Sequence, residues 1–184
     1  MMQVLFDSFS SLSRWDVVGA FASMGLVQTF AGQHATLRYI PAISDGVTIS
    51  QAITLGPVDQ LRGIGLQAFG SDGHVWIDGR FAVAERRLYV ARQEWSTPAV
   101  IIAESEPDCI PTPQEGDIFG VTIERVGTDQ FTLKFYWYQG DINDAQSDPV
   151  WQWTGTISGA DAVVGSPRLR LHPGSVIDSW RALM

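Results

Sequence analysis

Hydrophobic and polar residues alternate in short segments along this chain, and clusters of Gly, Pro, Asp and Ser separate the segments. A period of two residues is typical of a strand with one buried face, and turn residues at this spacing are typical of antiparallel sandwiches and barrels. The predicted strands are 3–9, 26–31, 35–41, 47–55, 61–69, 74–83, 87–93, 99–104, 117–126, 130–139, 150–157 and 168–172. Residues 175–184 fit either a last strand or a short helix. The pattern therefore predicts an all-β protein in which two antiparallel sheets pack as a sandwich.

The length of 184 residues suits one domain, because a chain of this size buries enough surface to form a core without a disulfide or a metal. Seven Trp, nine Phe and four Tyr fit pleated, half-buried strands. We therefore expect residues 1–184 to form a single β-sandwich domain.

Residues 116–140 are the clearest local unit, because two alternating segments flank turn residues at 127–129. One face of the second segment is uniformly apolar and consists of Phe131, Leu133, Phe135 and Trp137. The other face consists of Thr132, Lys134, Tyr136 and Tyr138. The first face is predicted to be core, and the second either is exposed or lines a shallow groove.

This hairpin resembles that of the concanavalin-A-like lectin/glucanase sandwiches. The resemblance rests on the order Gly116-Asp117-x-Phe119-x-Val121-x-Ile123-Glu124, a short turn, and Phe131-x-Leu133-x-Phe135-Tyr136-Trp137-x-Gln139-Gly140. Segments 5–15, 62–70 and 87–92 are similar in order to other strands of such domains. The resemblance implies a two-sheet jelly roll that recognises glycans, or hydrolyses them if it carries the acid pair of the glucanases. The glucanase signature Glu-x-Asp-x-Glu is absent from the sequence.

Charge and composition make some classes of binding partner unfavourable. The formal net charge is −8, Lys134 is the only lysine, and the eleven Arg are scattered, which disfavours nucleic acid and anionic membranes. No window approaches the roughly 20 apolar residues of a membrane span, and the N-terminus lacks the pattern of a signal peptide. We expect a cytoplasmic protein as synthesised, with release or assembly into a virion or surface structure left open. The single cysteine, Cys109, is expected to be a packing residue.

Catalytic motifs are weak. In Glu104-Ser-Glu106-Pro-Asp108 the first two carboxylates would share one side of a strand, as a glycosidase pair requires. Neighbouring prolines favour a solvated loop there instead. His34, His74 and His172 are isolated in sequence, and no metal-binding spacing or nucleophile motif accompanies them. We assign no catalytic residues and expect the protein not to be an enzyme.

An acidic segment follows the aromatic strand. It concentrates four oxygen-bearing candidates for calcium, Asp141, Asn143, Asp144 and Asp148. Calcium takes six to eight oxygen ligands, and this loop offers several. A polar turn between two strands is also rich in Asp, Asn and Ser for local reasons. The interpretation is therefore an ordinary turn, with calcium as the alternative cofactor.

Aromatic residues flank this segment and form the candidate ligand site. Tyr136 and Tyr138 precede it, and Trp151 and Trp153 follow it. Both tryptophans fit the core; if exposed, they could stack on the apolar face of a sugar ring while Gln139 and Gln152 bind hydroxyl groups. Tyrosine and tryptophan are equally favoured at protein interfaces.

The favoured function is therefore a non-catalytic carbohydrate-binding module, of the kind found in phage or bacterial surface recognition, with a glycan or polysaccharide as partner. A structural sandwich that binds a protein partner or a second copy of itself is the alternative. A carbohydrate-active enzyme with an unfamiliar acid pair is a weaker alternative.

Overall fold

The structure is a computed structural model, and it describes residues 4–39, 50–70, 75–94, 97–127, 130–140, 149, 151–158 and 168–183. Within these ranges the regular structure is entirely β, with no helix. The strands are β1 Val4–Asp7, β2 Trp15–Val18, β3 Ala20–Ser23, β4 Leu26–Thr29, β5 Ala35–Tyr39, β6 Ser50–Leu55, β7 Gly63–Gly70, β8 Val75–Ala82, β9 Arg87–Glu94, β10 Val100–Glu104, β11 Ile118–Gly127, β12 Gln130–Tyr138, β13 Trp151–Ser158, β14 Arg168–Leu171 and β15 Val176–Leu183.

These strands form two antiparallel sheets. The eight-stranded sheet has the order β13-β12-β11-β6-β15-β4-β3, with β1 also paired to β15. The seven-stranded sheet has the order β10-β9-β8-β7-β14-β5-β2. The all-β sandwich predicted from the alternation is thus confirmed, and the tail that fitted either type of structure is a strand.

Two strands were not predicted. β2 and β3 are only four residues long each, and Gly19, with a φ of 80°, separates them. They cross from one sheet to the other, since β2 pairs with β5 and β3 pairs with β4. A strand of four residues carries too few alternations to stand out beside the serine-rich segment that precedes it.

The core lies between the sheets and is rich in aromatic rings. Leu133, Phe135 and Trp137 of β12 are fully buried, which confirms the predicted core face of this strand at the three positions whose side chains are described. Trp15, Tyr39 and Trp180 form a second cluster, with ring centroids 4.8 to 5.3 Å apart.

The two sheets approach closely at Gly79 of β8. A β-carbon at this glycine would lie 2.2 Å from Cε1 of Phe135, which belongs to the opposite sheet. The Phe135 ring therefore occupies the volume that any larger residue would need at position 79.

Cys109 packs against the core from its edge, and its Sγ donates to Ser105 Oγ at 2.9 Å. This agrees with the packing role predicted for it. In the part of the chain that the structure describes, no helix is long and apolar enough to cross a membrane.

Candidate functional site

Tyr136 lies on the outward face of the eight-stranded sheet, in a row of side chains that runs across six strands. We call this set the tyrosine row; in order from the β13 edge, its register-paired members are Gln152, Tyr136, Gly120, Ala52, Arg181 and Phe6. The side chains that flank Tyr136 along β12 on this face are Lys134 and Tyr138, as the alternation predicted.

The Tyr136 ring lies across the backbone of Gly120. A β-carbon on Gly120 would be 2.2 Å from Tyr136 Cζ and 2.3 Å from its hydroxyl oxygen. Only glycine leaves this space, and the ring in turn covers backbone that the glycine would otherwise expose, a known pairing of aromatic residues with strand glycines. Tyr136 is therefore held in place by the sheet itself.

The electrostatics of Tyr136 keep its hydroxyl group protonated at neutral pH. Burial raises the pKa of Tyr136, and the neighbouring Tyr138 adds to the rise, whereas Arg181 opposes it. The two tyrosine rings meet edge to face, with centroids 5.5 Å apart and an interplanar angle of 70°. The pair thus offers aromatic surface together with a hydroxyl group that can donate a hydrogen bond.

Polar side chains border the two tyrosines. Gln152, directly opposite Tyr136 in the ladder, is exposed, and so is Gln139, the residue that follows β12. Arg181 is also exposed and lies on the other side of Gly120 and Ala52. Amides and a guanidinium group can both bind hydroxyl oxygens, so the borders of the tyrosine row suit a polar ligand.

The end of β12 is fixed by the buried carboxylate of Asp117. It accepts hydrogen bonds from Trp137 Nε1 at 3.1 Å, from the Gln114 backbone N–H at 2.8 Å and from the Gly140 backbone N–H at 2.9 Å. Asp117 therefore holds in place the point at which the chain leaves β12 towards the acidic segment.

The register of β12 and β13 also gives the backbone positions of Trp151 and Trp153, the two tryptophans predicted to contact a ligand. Trp153 pairs with Phe135 and Trp151 pairs with Trp137, while the residue between them, Gln152, pairs with Tyr136. The side chains of both tryptophans lie outside what the structure describes, so their contact with a ligand stays a prediction.

The calcium candidates Asp141, Asn143, Asp144 and Asp148 all fall outside the described residues. Among the residues that are described, no three His, Cys, Asp or Glu side chains come together as a metal site.

Arginine side chains form ion pairs with two carboxylates of residues 104–108, the segment considered above as a possible glycosidase pair. Glu104 ends β10 and pairs with Arg87 at 3.3 Å, and Asp108 lies in the following loop and pairs with Arg86 at 2.5 Å. The predicted loop after Glu104 is confirmed.

Two histidines that are isolated in sequence meet in the fold. The rings of His34 and His172 are 4.9 Å apart between centroids. Burial, then the neighbouring His34, Arg80 and Arg170, lower the pKa of His172 to about 4. His172 is therefore neutral at pH 7.

Sequence reasoning found the face of Tyr136 but missed Gly120, Ala52 and Arg181. Gly120 was visible as a residue without a side chain between the bulky Phe119 and Val121 of β11. Ala52 and Arg181 join the row only through pairing between distant strands, for which the sequence carries no local signal.

Comparison with known proteins supports the fold and does not assign a function. No family model and no curated protein matches the chain. Among solved structures, the carbohydrate binding module CBM66 from Bacillus subtilis aligns with a TM-score of 0.56 and 15% identity, covering 89% of this chain and 91% of that one. Peanut lectin aligns with a TM-score of 0.52 and 10% identity over 100% and 97% of the two chains. A beta-1,3-glucanase from Mycobacterium marinum gives 0.50 and 9% over 98% and 97%.

These alignments span nearly the full length of every chain involved, and the sequence identities are low. The chain thus has the concanavalin-A-like lectin/glucanase fold that its hairpin resembles. A fold shared by lectins, binding modules and a glucanase does not by itself assign a function, which must be argued from the site.

Proposed function

We propose that this protein is a non-catalytic glycan-binding module and that it binds its ligand on the outward face of the eight-stranded sheet, at Tyr136 and Tyr138. The observation that carries the proposal is the seating of the Tyr136 ring on Gly120, with the exposed amide of Gln152 opposite it in the ladder. Aromatic rings pack against the apolar C–H face of a pyranose, and a few convergent polar groups fix its orientation.

In this proposal the tyrosines provide the aromatic surface and the glutamines provide hydrogen bonds. Tyr136 is mostly buried and supports the edge of Tyr138, so its ring is ordered before a ligand arrives, which lowers the entropic cost of binding. Gln139 and Gln152 offer both donors and acceptors to ring hydroxyls. The loop residues Asp141 and Asp144 follow directly in the chain, and we propose that they add polar contacts or hold a calcium ion.

The test is a glycan array followed by calorimetry on the glycans that bind. Tyr138→Ala and Gln152→Ala are expected to weaken binding by at least about 1 kcal/mol each, a loss typical of residues that matter at an interface. Thr156→Ala is the matched control, because Thr156 is exposed on the same strand as Gln152 but lies outside the tyrosine row. Binding that is unchanged in both site variants would remove this surface from consideration.

Two further measurements complete the test. Chelation of divalent ions lowers affinity only if the acidic loop holds calcium, and it leaves affinity unchanged otherwise. Trp153→Ala separates the two interpretations of that residue: a stacking tryptophan costs binding with little stability, whereas a core tryptophan costs about 3–5 kcal/mol of stability. Failure of the array to find any glycan would contradict the proposal as a whole.

A second candidate function is self-association, and it rests on a different observation. β10 is the edge strand of the seven-stranded sheet, and three consecutive apolar side chains on it, Val100, Ile101 and Ile102, are 44% to 59% exposed. An exposed apolar edge strand is a template for pairing with another strand. An antiparallel pair of β10 strands from two copies would keep the two Glu104 side chains at opposite ends. Sedimentation of the wild type and Ile101→Lys tests this: a dimer that the lysine dissociates supports it, and a wild-type monomer refutes it.

A further inference from the structure

An open cavity of about 330 Å³ lies beside the first strand, at the end of the tyrosine row. We call it the serine pocket; it is lined by Phe6, Asp7, Arg14 and four serines of the segment 8–13. Phe6 is also the last member of the tyrosine row, in which it pairs with Arg181 across β1 and β15. The serine pocket therefore adjoins the face that is proposed to bind a glycan.

The turn that forms the serine pocket is held in one shape by Asp7. Its Oδ1 accepts a hydrogen bond from the Phe9 backbone N–H at 2.7 Å, and its Oδ2 accepts one from Trp15 Nε1 at 2.8 Å. Phe9 is completely buried and packs against Trp15, with ring centroids 5.7 Å apart. The turn is thus anchored to the core, and a pocket that is ordered before a ligand arrives lowers the entropic cost of binding.

The lining of the serine pocket is rich in hydroxyl groups. Ser8, Ser10 and Ser13 are exposed, and a serine hydroxyl can both donate and accept hydrogen bonds. The carboxylate of Asp7 and the guanidinium group of Arg14 add one charge of each sign. This lining suits the hydroxyl groups of a neutral sugar better than an ion, because an ion of either sign would meet a charge of its own sign.

Phe6 forms an apolar wall of the serine pocket. Leu5 packs against the core, so the alternation of β1 turns Phe6 to the outward face, where its side chain is 61% exposed. Apolar walls together with a few convergent polar groups are the usual composition of sites for small ligands. The Phe6 ring can therefore pack on the apolar face of a sugar whose hydroxyl groups enter the pocket.

The row connects Phe6 with Tyr136 across four strand spacings. Adjacent strands lie about 4.8 Å apart, so these two positions are roughly 19 Å apart on the sheet. A single sugar ring cannot contact both. Gly120 and Ala52 occupy the row next to Tyr136, and the exposed Arg181 follows them. Arg181 is close enough for its charge to oppose the rise in the pKa of Tyr136 that burial causes. The row thus offers successive contacts to a chain of several sugars.

We infer that the ligand is a linear oligosaccharide of neutral sugars that reaches from Tyr136 and Tyr138, past Arg181, to a further sugar ring on Phe6 and in the serine pocket. This inference rests on the proposed function and deepens it, because it specifies the length and the charge of the glycan. It also makes affinity depend on chain length, which the two tyrosines alone do not require.

The experiment is a calorimetric titration of the protein with neutral α- and β-linked oligomers of glucose, galactose, mannose, xylose and N-acetylglucosamine, each as the dimer and the hexamer. In at least one series the hexamer should bind at least about ten-fold more tightly than the dimer, because the second contact is intramolecular once the first is made. Phe6→Ala should reduce the affinity for that hexamer to the affinity for the dimer, and it should leave the dimer unchanged.

Phe21→Ala is the matched control, because Phe21 is also an exposed phenylalanine of the eight-stranded sheet but lies on the edge strand β3, outside the tyrosine row. Ser10→Phe fills the serine pocket from an exposed position and should abolish the preference for the hexamer, which keeps the test decisive if Phe6→Ala does not fold. Equal losses of hexamer affinity in Phe6→Ala and Phe21→Ala would overturn the inference. A preference for the hexamer that survives Ser10→Phe would also overturn it.

Chain length and charge separate failure of this inference from failure of the proposed function. If the dimer and the hexamer of every binding series have equal affinity and Tyr138→Ala weakens both, the inference is refuted and the proposed site stands. Binding of charged glycans alone, again weakened by Tyr138→Ala, has the same meaning. If hexamer binding is lost in Phe6→Ala but is unaffected by Tyr138→Ala, the proposed site is refuted, and with it the continuous chain inferred from the row.

Discussion

The close approach of the two sheets at Gly79 allows a sharp test of how this sandwich is packed. Gly79→Ala places a methyl group where the Phe135 ring now lies, because the β-carbon would be 2.2 Å from Cε1 and 2.6 Å from Cδ1. Both residues are completely buried or nearly so, which leaves little room for the ring to move. We predict that Gly79→Ala and Phe135→Ala each destabilise the protein. The double variant should lose less stability than the sum of the two single losses.

The magnitudes follow from burial. Overpacking a core usually costs about 1–3 kcal/mol, so Gly79→Ala should fall in the upper part of that range. Phe135→Ala removes a fully buried ring and should cost about 3–5 kcal/mol. In the double variant the new methyl group occupies part of the emptied volume, so the two effects should couple by at least about 1 kcal/mol.

Urea unfolding followed by tryptophan fluorescence measures the four free energies of this cycle. Leu37→Ala is the control partner, because Leu37 is also buried but lies on β5, three strands and about 14 Å from β8. Gly79→Ala and Leu37→Ala should be additive within about 0.5 kcal/mol. Additivity of Gly79→Ala with Phe135→Ala would refute the packing of β12 on β8, and with it the assignment of Tyr136 to the outer face.

Two further substitutions test buried polar groups. Asp117→Ala should cost about 2–4 kcal/mol in chemical denaturation, because Trp137 Nε1 and two backbone N–H groups lose a charged acceptor; a loss below about 1 kcal/mol would contradict that role. The pKa of His172 is about 4 in the folded state against 6.5 as the ordinary value, so unfolding takes up a proton between these pH values. Its contribution to stability is full above pH 6.5 and is lost as the pH falls towards 4, and His172→Gln should flatten this part of the stability profile; an unchanged slope would contradict the assignment.

Much of the fold could be predicted because the alternation of β12 is so regular. Its apolar positions Leu133, Phe135 and Trp137 are all buried, and Tyr136 faces the other way, as a period of two requires. The same reasoning reached the tail only partly, because a bulge between Ile177 and Ser179 interrupts the alternation before the core residues Trp180 and Ala182.

The side chains that meet on the outward face of each sheet could not be predicted, because they depend on pairing between distant segments. Arg170 contacts Asp78 across 92 positions of sequence, and nothing near Asp78 indicates this partner. An aspartate on the outward face of a predicted strand is expected to be solvated, whereas here it is buried under two arginines. Strand pairing therefore decides the chemistry of both faces, and the partners of β14 and β15 lie far away in the sequence, where no local pattern indicates them.

The positions of the last two strands have a consequence for how the molecule forms. β14 lies between β7 and β5 in one sheet, and β15 lies between β6 and the pair β4 and β1 in the other. Without them the described strands of the seven-stranded sheet form two groups that share no ladder, and those of the eight-stranded sheet form the group β13-β12-β11-β6, the pair β4-β3 and a separate β1.

A ribosome-bound chain that ends before residue 168 thus has strands from its first and middle thirds with bare edges and no common sheet. Such intermediates are exposed to aggregation, and topologies dominated by distant pairings fold in milliseconds to seconds. Cooperative folding of the sandwich must therefore await the emergence of β14 and β15 from the ribosome.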